Sequence, residues 1–202
     1  MLLDFVTHPM TELLAVLCFV IYVLLSAKGN IWCWASGFLT SFLYTFIFLG
    51  VYLSAQVTLN ILYMIMAIWG WAQWSENGGL IRKSRFSYCP YWLHILGIII
   101  AAVIISVAVL VVPSAFQHEL IYLDATVTVG GVFATILTIY RKIECWLYWI
   151  IINALTFFLY FEQGLTQTAF LSIVVSLLSV YGFVNWRRLR QREIKYGIID
   201  DE

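Results

Sequence analysis

Charge is what this chain has least of. Only 11% of its 202 residues are Asp, Glu, Lys or Arg, while 63% are hydrophobic and 17% aromatic. A soluble domain carries about 25% charged residues. A chain this poor in charge cannot clothe a water-facing surface, so an all-α polytopic membrane protein is expected. The few basic residues sit in short loops and a tail, which leaves no nucleic-acid footprint. Cysteine is sparse too. Cys18, Cys33, Cys89 and Cys145 form no C-x-x-C pair, and they read as small apolar fillers, not disulfides or metal ligands. Residues 1–11 lack a basic n-region and no A-x-A site follows, so no cleavable signal peptide is expected. No H-E-x-x-H, Walker A loop, G-x-S-x-G or G-x-G-x-x-G occurs. The three histidines, His8, His94 and His118, fall at span ends or in loops and form no repeated acid-plus-His relay. An enzyme is therefore not expected, nor a metal or other cofactor.

What is present is a set of seven apolar segments, each near the 20 or so residues that a crossing needs. They lie at about 12–27, 31–49, 53–73, 93–112, 121–140, 144–161 and 166–186. Every Lys and Arg falls on one side of these segments: Lys28, then Arg82, Lys83 and Arg85, then Arg141 and Lys142, then the tail from Arg187 to Lys195. The opposite loops hold only Asp4, His8, Glu12, His118, Glu119 and Glu162. The positive-inside rule then sets the N-terminus outside and the C-terminus in the cytoplasm of an inner membrane.

The chain also repeats itself. A shift of 114 lays Lys28 on Lys142, Trp32 on Trp146 and Gly50 on Gly164. After a two-residue gap, Trp69-Gly70-Trp71-x-x-Trp74 meets Tyr181-Gly182-Phe183-x-x-Trp186. Two three-helix units joined by one further helix keep the same direction, so a 3+1+3 arrangement of parallel repeats is expected. The organisation reads as residues 1–74 for the first unit, 75–119 for a loop and linker helix, 120–188 for the second unit and 189–202 for a tail. The linker helix is nearly featureless and is expected to face lipid.

Polar residues at helical spacing mark interior faces. One stripe runs Gln56, Asn60, Tyr63, Gly70, Trp74; another Asp124, Thr128, Gly131, Thr135, Thr138; a third Ser172, Ser176, Ser179, Gly182; a fourth Trp34, Gly37, Ser41, Tyr44. Ser, Thr and Gly stripes more often serve close packing than ligand contact. The mid-span amides Asn60 and Asn153 are different, because an amide in hydrocarbon needs partners. Asn153 shares its face with Trp146, Trp149, Phe157 and Tyr160, so indoles beside an amide suit a flat polar ring. The candidate substrate contacts are Trp149, Asn153, Asn60, Gln56, Tyr63, Asp124 and Trp146. Asp124 either meets the substrate at the mouth or caps its helix. Gly50, Gly70, Gly164 and Gly182 are candidate points of close approach or bending between rocking units.

The run from Asp124 through Arg141-Lys142-Ile143-Glu144-Cys145-Trp146 to Asn153, then Glu162-Gln163-Gly164, resembles the PnuC-type vitamin transporters, as do the Gly-aromatic-x-x-Trp endings. The resemblance covers most of the chain. It implies a SWEET-like fold, and uptake of nicotinamide riboside by facilitated diffusion with a cytoplasmic kinase trapping the product. By position, Trp149 and Asn153 match the family's W-x-x-x-N in the sixth span, and Asp124 the acid that opens the fifth. Asn60 stands where some nicotinamide riboside carriers have Gln, and Ala67 where they have Asn, which leaves thiamine or riboflavin as alternative substrates. Partners are then a small vitamin and membrane lipid, with a homo-oligomer left open. From other classes, a non-transporting membrane scaffold would show no ligand response, and a sugar transporter no preference for a cationic ring.

Overall fold

The computed structural model describes residues 9–50, 54–75, 86–111, 120–162 and 166–196. Within them lie seven helices: α1 (Pro9–Ala27), α2 (Trp32–Gly50), α3 (Ser54–Trp74), α4 (Tyr91–Val111), α5 (Ile121–Ile139), α6 (Cys145–Glu162) and α7 (Thr166–Lys195). A single bridge between Ser87 and Lys142 is the one extended pairing among the described residues. The expected spans and the helices agree to within a few residues except at the end. There α7 carries the basic tail as helix to Lys195, 30 residues in all.

Six helices are long and apolar enough to cross a membrane, by length and composition, where seven were expected. The exception is α3. Its 21 residues suffice in length, but Gln56, Thr58, Asn60 and Gln73 dilute its apolar content. Of these, Asn60 is buried, and it shares a buried face with Ala67, Gly70 and Trp74 while Ile61, Leu62, Ile65 and Ile68 are exposed.

The chain divides into two compact units, 1–84 and 85–202. In the first, α2 packs against α1 and α3; in the second, α6 packs against α5 and α7, and α4 lies along α5. Both carry an apolar exterior, with small polar residues among the buried side chains. Ile, Leu, Val and Phe dominate the exposed positions, whereas Thr40, Ser41, Thr45, Thr135, Thr138, Ser172 and Ser179 are buried. Most of these hydroxyls donate to the carbonyl one turn back in their own helix, as in Thr45 to Ser41 (2.7 Å), Thr135 to Gly131 (2.8 Å), Thr138 to Ala134 (2.9 Å) and Ser179 to Val175 (2.8 Å). Their small size lets helices approach, and their polarity is absorbed locally. The stripes of small polar residues are thus packing faces.

The two units share a local contact at a uniform shift of 112. Trp34 lies against Gly70 and edge-on to Trp74, with ring centroids 5.4 Å apart. At positions 112 later, Trp146 lies against Gly182 and edge-on to Trp186, at 5.3 Å. Trp34, not Trp32, is therefore the counterpart of Trp146, and no gap is needed. Trp32 is instead exposed, stacked edge-on against Trp71. The register of 114 was misled because three identities are weak evidence in so aromatic a chain.

The turn before each of these tryptophans repeats as well. Gly29 donates to Ser26 O and Asn30 to Leu25 O; Arg141 donates to Thr138 O and Lys142 to Leu137 O. Both pairs are the 5→2 and 6→1 bonds of a Schellman motif, which needs a left-handed residue just past the helix. Gly29 supplies it at φ 69° and Arg141 at φ 52°. The strain at Arg141 is offset by contacts, since its guanidinium lies 5.5 Å from the Phe86 ring and its carbonyl accepts the Ser87 N–H. Gly29→Ala is expected to cost about 1 kcal/mol, because a Cβ disfavours this backbone region. A thermal melt of the variant, lowered by a few degrees, checks it.

Candidate functional site

Glu144 opens α6: its carbonyl accepts the N–H groups of Leu147 and Tyr148. From this start Trp149 and Asn153 fall one turn apart on the same face. Asn153 is buried and Trp149 half-buried. The Asn153 amide donates to the Trp149 carbonyl at 2.6 Å. One amide N–H is thus satisfied within the helix, which fixes the side chain against its own backbone. An amide has two N–H protons and an oxygen, so the bond leaves polar capacity for a ligand.

Asn60 makes the same bond in the first unit. It is buried, and its amide donates to the Gln56 carbonyl at 2.8 Å. Tyr63 lies a turn further on, half-buried like Gln56. The three share one face of α3. Ser41 and Gly37 stand in the first unit where Asn153 and Trp149 stand in the second, and Ser172 stands where Asn60 does. The two chemically rich faces are therefore not copies of one another.

Asp124 lies in the first turn of α5. It sits close enough to Tyr160 of α6 to act on its hydroxyl electrostatically. No side-chain bond from the residue before the helix caps α5. Tyr160, Phe157, Asn153 and Trp149 fall on one face of α6.

Trp146 does not belong to this group. It is two turns from Asn153, about 10 Å along the axis, and only 3% exposed. Its ring is enclosed by Gly182 and Trp186, which leaves no open face for a substrate to stack on. Its indole Nε1, like that of Trp34, is buried with no hydrogen-bond partner among the described residues. Gly70 and Gly182 act as seats for these indoles. Gly50 ends α2, and Gly164 lies outside the described residues.

A group unforeseen from sequence lies at the start of α6. Segment 86–89 crosses the 140–144 turn: Ser87 exchanges backbone bonds with Arg141 and Ile143, and Lys142 Nζ donates to Ser87 Oγ at 2.8 Å. Glu144 Oε1 accepts the Cys89 N–H at 2.9 Å. Burial pushes the Cys89 thiol above its ordinary range, and the Glu144 charge adds to the rise while Lys142 opposes it. The helical tail closes the other side, with Glu193 accepting the Phe86 N–H at 3.2 Å and Arg190 4.9 Å from the Tyr88 ring. Among the described residues no cluster of His, Cys, Asp and Glu has the makings of a metal site.

Long apolar helices with small polar residues among their buried side chains define a multi-pass membrane protein. Residues 9–188 match the family model described as nicotinamide mononucleotide transporter, and the chain belongs to that family. It is 28% identical over 191 residues to the nicotinamide riboside transporter PnuC of Neisseria mucosa, covering 86% of this chain and 70% of that one. It is 30% identical over 180 residues to the PnuC of Haemophilus influenzae, with coverage of 86% and 77%. The riboflavin/roseoflavin transporter RibM of Streptomyces davaonensis is 23% identical over 165 residues, with coverage of 80% and 77%. The crystal structure of a vitamin B3 transporter PnuC matches with a TM-score of 0.70 and 25% identity, over 93% of this chain and 86% of that one.

Proposed function

We propose that this transporter takes up nicotinamide riboside by facilitated diffusion, and that intracellular phosphorylation retains it. The observation that carries the reading is the buried Asn153 amide, held by the backbone carbonyl of Trp149 one turn back on the same helix face. A pyridinium over an indole gains about 1–2 kcal/mol once desolvated. The amide's remaining donor and acceptor suit the carboxamide or ribose hydroxyls. Asp124, in the first turn of α5, is proposed to meet the cationic ring at the mouth. Asn60, Gln56 and Tyr63 give the first unit a polar face of its own on α3, proposed as a further substrate contact. The two PnuC relatives support this choice of vitamin.

The reading includes a SWEET-like 3+1+3 arrangement of parallel units in an inner membrane, with the N-terminus outside. The matching tryptophan–glycine seats and Schellman turns support the repeat, and the one-sided placement of Lys and Arg supports the orientation. Riboflavin or thiamine is the second reading. It is favoured by the RibM relative and by Asn60 and Ala67 at positions where the resemblance led us to expect other residues.

Purified protein melted with each vitamin separates these. A ligand at 100 times its Kd stabilises by about 2.7 kcal/mol, which raises the midpoint by several degrees. Nicotinamide riboside is expected to do so, and thiamine, riboflavin and sugars are not. A rise with riboflavin or thiamine alone overturns the substrate. No rise with any vitamin overturns the site and favours a scaffold. Uptake into proteoliposomes is expected to stop at equal concentrations inside and out, without an ion gradient.

A further inference from the structure

We propose that His94 is a positioning residue for the substrate-bearing helix, pinning α4 to α6 through Tyr148 and Glu144, and that taking up a proton tightens the pin. His94 sits in the first turn of α4. Its Nδ1 lies 2.9 Å from the Tyr148 hydroxyl and its Nε2 3.9 Å from Glu144 Oε1. The rings of His94 and Tyr148 stack at 5.8 Å. Tyr148 precedes Trp149 in α6, so what holds Tyr148 sets the rotation of the substrate face. A second contact fixes the same place: Phe133 of α5 lies edge-on to Tyr148 at 5.1 Å and fills the space over Gly97 of α4, where an added Cβ would come within 2.5 Å of its ring. The helix expected to do no more than join the halves is thus anchored to α5 and α6 at its basic-side end.

The second observation is Glu144 Oε2, which is buried and has no hydrogen-bond partner among the described residues. The carboxylate's other oxygen has only the Cys89 N–H and the distant imidazole. Neutral histidine offers one N–H; the protonated ring offers two. The neutral ring can accept the Tyr148 O–H at Nδ1 while its Nε2–H faces Glu144; protonation adds a positive charge, which gives the half-satisfied carboxylate a countercharge. The other titratable or charged groups facing the cluster are Cys89 at the foot of α4 and Lys142 in the turn before α6. Lys142 is committed to Ser87 Oγ and the Tyr88 carbonyl. Histidine is the one group here whose ordinary range falls between pH 5 and 8. In this proposal α6 shifts against α4 as the substrate leaves, so a tighter pin slows release.

The proposal rests on reading Trp149 and Asn153 as substrate contacts, and its test separates the two. In proteoliposomes, wild-type uptake of labelled nicotinamide riboside is expected to fall about fivefold from pH 8 to pH 6, the scale of a partly exposed ion pair. The pyridinium charge is fixed over this range, so the substrate does not titrate. His94→Gln keeps a group that can bond Tyr148 but cannot take a proton, and its pH 8 to pH 6 ratio is expected to approach one. Glu144→Gln is expected to lose most of the response too. His8 and His118 remain in both variants. A structural role alone would lower rates at both pH values and keep the ratio. His94→Gln with the wild-type ratio overturns the proposal. Spin labels at Val107 and Phe158, both exposed, give a readout without substrate. Their distance distribution is expected to narrow at pH 6 in the wild type and not in His94→Gln. No change with pH in the wild type also overturns the pin. If the wild type takes up no nicotinamide riboside, the substrate reading has failed, and the labels still decide the pin.

Discussion

Replacing Asn153 by alanine is expected to abolish saturable uptake of nicotinamide riboside while the protein still folds and inserts. The two halves of that expectation have separate physical grounds. Folding is spared because the amide's bond runs to the Trp149 carbonyl of its own helix, and alanine is the best helix former. Binding is lost because the substrate's polar edge, removed from water, is left without its partner. An unmet hydrogen-bonding group costs about 1–3 kcal/mol, or about 5- to 150-fold in affinity. Trp149→Ala removes the stacking face, worth about 1–2 kcal/mol, and is expected to weaken binding about 5- to 30-fold. The two together should lose less than the sum if one solute touches both, since neighbours that share a ligand do not act independently. Uptake at a range of substrate concentrations measures all three variants, with expression checked by size-exclusion profile. Wild-type kinetics from Asn153→Ala would remove the amide from the site.

How much of this was legible beforehand depends on the distance over which each feature is encoded. The helices follow from apolar content, which is local, so their existence and approximate ends could be read. The amide beside the indole is also local, since Trp149 and Asn153 are one turn apart. The repeat was legible only in part. Its best half was the Gly70/Gly182 and Trp74/Trp186 ending, but the partner indole was assigned two residues off. Sequence identity cannot tell a packed tryptophan from an exposed one, whereas the glycine seat can: only Trp34 and Trp146 lie against Gly70 and Gly182. The same register sets Glu12 on Asp124 and Gly29 on Arg141. The second pair was hidden because an arginine seldom adopts the left-handed backbone. Least legible was the cluster of His94, Tyr148 and Glu144. Fifty or more residues separate His94 from the other two, no spacing rule joins it to them, and a histidine at a span end reads as an interfacial residue. The stripes of Ser and Thr gave the opposite outcome, with polar groups absorbed by their own helices.

The glycine seats carry the second large prediction. At Gly182 an added Cβ would lie 2.6 Å from the Trp146 ring, and at Gly70 2.4 Å from the Trp34 ring. Both rings are nearly inaccessible and locked edge-on to a second indole, so neither can swing aside. A methyl forced into such a space costs about 1–3 kcal/mol, and a disturbed aromatic pair adds about 0.5–1.5 kcal/mol. Gly70→Ala and Gly182→Ala are therefore each expected to lower the melting midpoint by several degrees and to cut the yield of monodisperse protein. The two effects should be similar, because the contacts are. Gly37→Ala is the control: its Cβ would meet the Tyr22 ring at 3.0–3.3 Å, a contact relieved by a shift of a few tenths of an ångström. The decisive variant is Gly182→Ala with Trp146→Phe. A smaller ring makes room for the methyl, so the pair is expected to be more stable than the two single losses added together. A favourable coupling of about 1–3 kcal/mol is the range for residues in direct contact. If Gly182→Ala melts with the wild type, the glycine is not there to seat the indole. If the double variant shows no coupling, the loss arises elsewhere, and the shared architecture of the two units rests on their turns alone.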